Sequence, residues 1–312
     1  MSFSPRSRRL LLSLCLTALA LPTTLQAAEP LRWKFTAGDV QHYKMTQDMQ
    51  MTIESGGQKM TTDMNQDLHM TWEINEVLDN GSAKMVQKIN RMKMTMKMPG
   101  QTLEFDSANP DKAQGPLAAQ VGPMFKALTS NAFAVTMSPR GEITDVEIPK
   151  ELIEALKASP GAAAMGDLAS EDGFKHLVQQ GSLTLPEELT EGKQWTTKVD
   201  VKNPIVGTQT IETTYVYKGS RDVEGETMEI FAPSMVVDFA AGAGPVQMEV
   251  AGQESEGEIL FNRGAGRLES SNINQGMDLK ASAAGQESAL KIDQKIKLQW
   301  ISPEEAEKEA KQ

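Results

Sequence analysis

Val40-Gln41-His42-Tyr43-Lys44-Met45-Thr46-Gln47-Asp48-Met49-Gln50-Met51-Thr52-Ile53-Glu54 places Tyr43, Met45, Gln47, Met49, Met51 and Ile53 in one phase and His42, Lys44, Thr46, Asp48, Gln50 and Thr52 in the other. Side chains alternate across a strand, so period two over such a length reads as a long half-buried β-strand. Ser55-Gly56-Gly57 supplies a turn, and Met60, Met64, Leu68, Met70, Trp72, Ile74 and Leu78 then recur at even positions, which predicts a hairpin. Asp79-Asn80-Gly81-Ser82 reads as a primed turn, because Asn-Gly accepts positive φ. The third strand, residues 84–98, buries Met85 and Ile89 in one phase and Met92, Met94, Met96 and Met98 in the other, which requires a bulge near Asn90. Strands of about 15 residues span roughly 50 Å at about 3.3 Å per residue, so the sheet must be strongly twisted and curved.

The middle of the chain changes period. Val121, Met124, Phe125 and Leu128 fall at helical spacing, a hairpin is expected over residues 133–148, and Leu152, Ile153 and Leu156 behind Pro149 and Phe174, Leu177 and Val178 predict two more helices separated by Pro160-Gly161. From Leu183 the alternation returns through Trp195 to Val201, Ile211 to Tyr217, and Met228 and Ile230, where Pro233 is expected to interrupt and shift the face to Met235, Val237 and Phe239. Gly242 and Gly244 mark a loop, and strands follow over residues 259–261 and 268–279. Leu290, Ile292, Ile296, Leu298 and Trp300 against Lys291, Asp293, Lys295 and Lys297 form the cleanest amphipathic strand. Residues 303–312 read as a polar tail without a core of its own. The fold class is therefore mainly β (α+β): a large curved antiparallel sheet in halves of about 31–148 and 183–302, with a helical insertion of about 116–181 packed on one face, all within a single domain over 29–302. Phe35-Thr36-Ala37-Gly38-Asp39 ahead of Tyr43 echoes Leu189-Thr190-Glu191-Gly192-Lys193 ahead of Trp195, and Pro139-Arg140-Gly141 echoes Gly264-Ala265-Gly266 late in each half.

Arg6-Ser7-Arg8-Arg9, the apolar run from Leu10 to Leu21, Pro22 and Ala27-Ala28 make residues 1–28 a secretory signal peptide, too short to span a bilayer. The leucines after Arg8-Arg9 are followed by Ser13 where the twin-arginine pattern has lysine, which favours the Sec route. The expected location is periplasmic or extracellular. Leu14 ahead of Cys15 argues against lipid attachment, and the mature chain has no cysteine for disulfides or thiol chemistry. The chain of 312 residues has 31 Lys+Arg against 42 Asp+Glu, a net charge of −11; loss of Arg6, Arg8 and Arg9 leaves 28 against 42, or −14. That balance repels phosphate backbones, so no nucleic-acid partner is expected.

Leu31-Arg32-Trp33-Lys34-Phe35-Thr36-Ala37-Gly38-Asp39 with Tyr43, Leu185-Pro186-Glu187 leading to Gly192 and Trp195, and Gly266-Arg267-Leu268 together resemble an uncharacterised family of secreted proteins common in planctomycete-type bacteria. The strand-rich halves with inserted helices are also similar to the lipoprotein-carrier fold, an incomplete antiparallel barrel whose concave face holds acyl chains. That likeness implies an architecture and carries over no functional residue.

Methionine is the unusual residue, 19 in all. Three readings compete. Thioethers fill the core face of a curved sheet, since Met adapts to irregular gaps. Alternatively, a concave face lined by Met45, Met49, Met51, Met60, Met64, Met70, Met92, Met94 and Met96 stays open for a lipid or apolar small molecule. In the third reading the first hairpin binds Cu(I) through Met49, Met51, Met60 and Met64, with Met45 and Met70 nearby. His42, His69 and His176 read as solvated surface residues. No HExxH, Walker loop, GxSxG or CxxC occurs. The expectation is an exported, non-enzymatic binding module without a cofactor, the alternatives being a closed structural or interaction protein of the cell envelope and an extracytoplasmic Cu(I)-binding protein.

Overall fold

The structure, a computed structural model, describes residues 30–113, 116–158, 170–180, 182–240 and 244–310. The signal peptide, Pro160-Gly161 and Gly242 lie outside the described residues, as do the side chains of Val121, His176 and Leu177. Twelve strands form one antiparallel sheet: β1 (Val40–Ser55), β2 (Gln58–Val77), β3 (Ala83–Met98), β4 (Gln101–Asp106), β5 (Ala132–Met137), β6 (Ile143–Glu147), β7 (Gln194–Asn203), β8 (Gly207–Val223), β9 (Glu226–Phe239), β10 (Gln247–Asn262), β11 (Arg267–Ala283) and β12 (Gln286–Ile301). The order is β6-β5-β3-β2-β1-β12-β11-β10-β9-β8-β7, with β4 on the outer part of β3. The described helices are α1 (Pro116–Ser130), α2 (Lys150–Ala158), α3 (Glu171–Gln180) and α4 (Pro303–Ala310).

Turn chemistry sets the registers. Ser55 pairs with Gln58 around Gly56 (φ 58°) and Gly57 (φ 79°), a two-residue loop with both φ positive, whose twist matches the strands it joins. Asn80-Gly81 departs from the primed turn expected of it. Leu78 and Ser82 are bonded across a three-residue loop (N–H to O 2.8 Å), and of Asn80 and Gly81 only Gly81 has positive φ. Asn80 instead accepts the Ser82 N–H through its side chain. The bulge falls where the change of phase requires it: His69 pairs with Arg91 and Met70 with Ile89, leaving Asn90 as the extra residue.

Three readings of the strands are corrected. Pro233 does not break β9, which runs through it with Glu229, Phe231, Met235 and Val237 in one phase. It ends the ladder to β10 instead: β9 and β10 pair only from Met228–Phe231 to Ile259–Asn262, because proline has no N–H to continue. Beyond it the Gln253 side chain spans the seam, accepting from the Val237 N–H at 2.8 Å and donating to the Val237 carbonyl at 3.1 Å. β10 begins at Gln247 rather than 259, since beyond Met248 and Val250 its glutamate-rich stretch to Glu258 offers no apolar alternation. β4, with Leu103 and Phe105 buried, is a strand the sequence reading did not assign.

The sheet curls until its ends share a core. Inward residues of β5 and β6 (Val135, Met137, Ile143, Val146) and of β8 and β9 (Tyr215, Tyr217, Phe231) belong to one buried cluster with Trp33, Tyr43 and Trp72. α3 lies against both edge strands, β6 and β7. Two segments strap this end. Trp33 donates from its backbone to Pro139 (2.8 Å) and from its indole to the Leu183 carbonyl (3.0 Å), while Lys34 donates to Gly266 (2.9 Å). Leu185 donates to Arg140 at 2.7 Å, and Trp195 donates from its indole to Thr184 at 2.8 Å. The echoed segments make matching bonds: Gly38 donates to Ile74 (2.7 Å) and Gly192 to Tyr217 (2.9 Å), and Ile74 and Tyr217 in turn donate to Asp39 and Lys193, each at 2.9 Å.

Gly141 stands under this strap with φ 86°, and a Cβ there would lie 2.2 Å from the Leu183 carbonyl oxygen and 2.6 Å from the Trp33 indole nitrogen. Gly141→Ala should therefore destabilise the protein by more than about 2 kcal/mol, measured by urea denaturation, whereas alanine at Gly100, which has the same sign of φ but open space around it, should cost about 1 kcal/mol.

Candidate functional site

Away from the strapped end the inward face is only partly covered. Helix α1 takes the part over β3 and β4, where Phe125 meets Phe105 with ring centroids 5.0 Å apart and packs in one cluster with Leu68, Met92 and Met94. Toward the hairpin tips, Met49, Met51 and Ile53 of β1, Leu290, Ile292 and Ile296 of β12, and Ile273 and Met277 of β11 stay half-buried.

Register shows how the methionines are arranged. Met49 faces Met64, and Met64 faces Met96, so three thioethers stand in one row across β1, β2 and β3. Met51 faces Thr62, and Met60 faces Ile53 and is 53% exposed, so Met51 and Met60 are not directly opposed. Met45 faces Leu68, Met94 faces Gln66 and Met92 faces Leu68, while Met70 lies toward the strapped core opposite Tyr43 and Ile89. The nine methionines therefore divide: Met92 and Met94, with Met45, Met64 and Met70 against them, belong to the cluster under α1, Met70 also meeting the strapped core, while Met49, Met51, Met60 and Met96 stay outside both clusters.

Glutamines cross this face in the same phase. Gln66 pairs with Gln47, Gln294 with Gln275, and Gln275 with Ser255. Gln47 Nε2 donates to Gln294 Oε1 at 3.1 Å, Gln294 Nε2 donates to Gln275 Oε1 at 2.5 Å, and Gln275 Nε2 points at the Met277 thioether at 3.7 Å. Gln275 is 6% exposed, and the buried Ser255 Oγ has no hydrogen-bond partner among the described residues. A cavity of about 720 Å³ crosses the same strands but is lined mainly from the charged outward phase, by Asp48, Gln50, Asp63, Lys97, Glu254 and Lys295, with Met49, Met64, Ser255, Gln275 and Gln294 lying between those residues along their strands. Sequence reading placed Gln47 in the apolar phase without giving it a role, and the break at Gln294 between Ile292 and Ile296 was the available signal.

The one buried charged residue described is Glu229, 1% exposed and held by the Tyr217 hydroxyl and the Arg263 guanidinium at the strapped end. Burial, reinforced by Glu229, pushes the Tyr217 phenol up to about 12, so it stays a donor at any physiological pH. The opposite face is charged. There Glu309 of α4 meets Lys44 (2.8 Å) and His69 Nδ1 (3.1 Å), so the C-terminal helix is clasped onto β1 and β2 and is capped by the reciprocal Ser302–Glu305 pair. His69 is thus half-buried under a helix, not the solvated residue expected.

The chain belongs to the family of unknown function DUF6263, whose model matches residues 80–295. Its sequence matches no curated protein. Among solved structures it is similar to lipovitellin, described for its lipid-protein interactions, at 12% identity and TM-score 0.48, covering 86% of this chain and 26% of that one. It is similar also to a domain assigned to outer membrane lipoprotein sorting from Vibrio parahaemolyticus (9% identity, TM-score 0.16, 86% and 92% covered). A β-barrel-like DUF1849 protein from Brucella abortus gives 8% identity, TM-score 0.21, and 86% and 100% covered. No described helix is long and apolar enough to cross a membrane.

Burial pushes His69 below its ordinary 6.5, against the smaller opposing pull of Glu309. The folded state then disfavours the charged imidazole, so its contribution to stability is full above about 6.5 and is lost as pH falls through that value. His69→Gln should flatten the pH dependence of the melting temperature below about 6.5; an unchanged slope would place the acid sensitivity elsewhere.

Proposed function

We propose that this protein is a non-enzymatic binding module, exported from the cytoplasm, that holds an apolar or lipid ligand in the trough formed by the inward faces of β1, β2, β11 and β12. One observation carries the reading: the aromatic core and the straps fill the end near Trp33, while Met49, Met51, Ile53, Leu290 and Ile292 remain half-buried toward the tips. Leaving contiguous apolar area in water costs roughly 25 cal/mol per Å², and large exposed patches mark interaction sites. Methionine suits such a surface because its flexible thioether re-packs around varied chains.

Protein purified without detergent, extracted with organic solvent and examined by mass spectrometry should carry stoichiometric lipid. Met49→Glu with Ile292→Glu should abolish this and lower the affinity for a neutral hydrophobic dye at least about tenfold, with the far-ultraviolet circular dichroism unchanged. An empty protein that leaves the dye dark overturns the reading.

The Met49–Met64–Met96 row favours a second reading, a Cu(I) site of thioethers on adjacent strands about 4.8 Å apart. In it Met96 takes the place expected of Met60. Met64→Leu should then weaken Cu(I) binding in a chelator competition by more than about tenfold, while an affinity equal to that of a methionine-poor protein removes copper from consideration.

A further inference from the structure

Charge is distributed unevenly between the two faces of the sheet. The chain carries 31 Lys+Arg and 42 Asp+Glu. Nevertheless, between the strapped end and the tips the inward phase of β1, β2, β11 and β12 carries no charge; the charged groups on that side, Glu229 with Arg263 and the Arg267–Glu269 pair over the Trp300 ring, are tied up at the strapped end. Within the trough the polarity is concentrated in a carboxamide band, Gln66, Gln47, Gln294 and Gln275, that ends at Ser255 on β10. The band crosses five strands, about 19 Å at about 4.8 Å per strand. On its tip side lie Met51, Ile53, Leu290, Ile292 and Met277; on its strapped side lie Met45, Ile296 and Leu298.

A purely hydrocarbon ligand would gain nothing from such a band, and burying amides against alkyl chains without partners is unfavourable. A phosphate or carboxylate placed there would be desolvated with no cation to meet it, which costs far more. A carboxamide offers two N–H donors and an acceptor oxygen, so a chain of them that uses one donor and one acceptor per link keeps sites free for an ester, hydroxyl or amide. Ser255 Oγ, buried and unpartnered, is a further site of the same kind.

We propose that the carboxamide band reads the headgroup of the ligand, and that the ligand class is an uncharged amphiphile whose ester, hydroxyl or amide group lies across Gln294, Gln275 and Ser255 while its alkyl chain runs over the methionines toward the tips. This rests on the trough reading above and adds the chemistry of the polar end.

Displacement of a neutral hydrophobic dye from the full chain tests it, using monooleoylglycerol and monooleoylglycerol phosphate, which share chain and ester and differ in charge. The uncharged lipid should displace dye at a concentration at least about tenfold lower, the equivalent of one well-made hydrogen bond or one avoided charge burial. Gln275→Leu with Gln294→Leu should keep dye binding and remove most of that advantage, and Gln294→Lys should reverse it toward the phosphate. If wild type binds dye but both lipids compete equally, or if the preference survives the leucine pair, the headgroup assignment is overturned and the trough stands. If wild type binds no dye and neither lipid, the trough itself is overturned and the assignment falls with it.

Discussion

The indole of Trp33 holds together parts of the chain that the ladders leave apart. Its N–H reaches the Leu183 carbonyl and its backbone N–H reaches Pro139, while its ring meets Phe261 edge-on at 5.1 Å and Trp72 at 6.2 Å. One residue ahead of the sheet thus ties the strap of residues 182–185 to the β5–β6 loop and to the aromatic cluster. The sheet ends in the edge strands β6 and β7, with β4 a further short edge on β3, and long exposed edges invite pairing with other chains. Here β6 and β7 are short, 5 and 10 residues, and α3 and the strap lie against them. A curled sheet whose edges are bridged by side segments keeps one end shut without closing the ladder, and Gly141 is glycine because the strap leaves no room for a Cβ.

From that closure follows a division along the strands. Burial of aromatic and aliphatic side chains is concentrated near Tyr43, Trp72, Phe231 and Phe261, each at most 9% exposed, and the strength of the hydrophobic effect puts most of the stability there. Farther along, β1 remains paired with β12 as far as Ser55–Ser288, so the backbone is fully satisfied while the inward side chains are only half covered. The open region is held by ladder bonds and the closed region by packing, which lets the open side chains vary with little cost to the fold.

Much of this was legible in the sequence, because alternation and turn residues are local. β1, β2, the phase change at Asn90 and β12 could be placed from period two alone, and the three helical stripes fell where α1, α2 and α3 stand. What escaped depended on partners distant in sequence. The polar first part of β10 is a strand because β11 pairs with it from Gln247 to Asn262. Pro233 ends a ladder and not a strand, a distinction that needs the neighbour to be known. His69 is covered by a carboxylate from the last described helix, and the glutamine band becomes a band only once registers align residues from separate hairpins.

That alignment distinguishes this face from an ordinary core. A core face of Met, Ile and Leu has no use for amides, and a buried glutamine left unpaired would cost about 1–3 kcal/mol. Linking Gln47, Gln294 and Gln275 into a chain keeps each side chain partnered without a ligand, yet leaves lone pairs and N–H groups unused. The arrangement resists permanent closure as well: were the trough to collapse on itself, methionines and leucines from the far side would meet the carboxamides and strip them of water without replacing the hydrogen bonds. Polar residues in the middle of the apolar phase thereby favour the open state of the sheet, and charge on its other face, exemplified by Lys291, Asp293, Lys295 and Lys297 along β12, keeps that surface solvated.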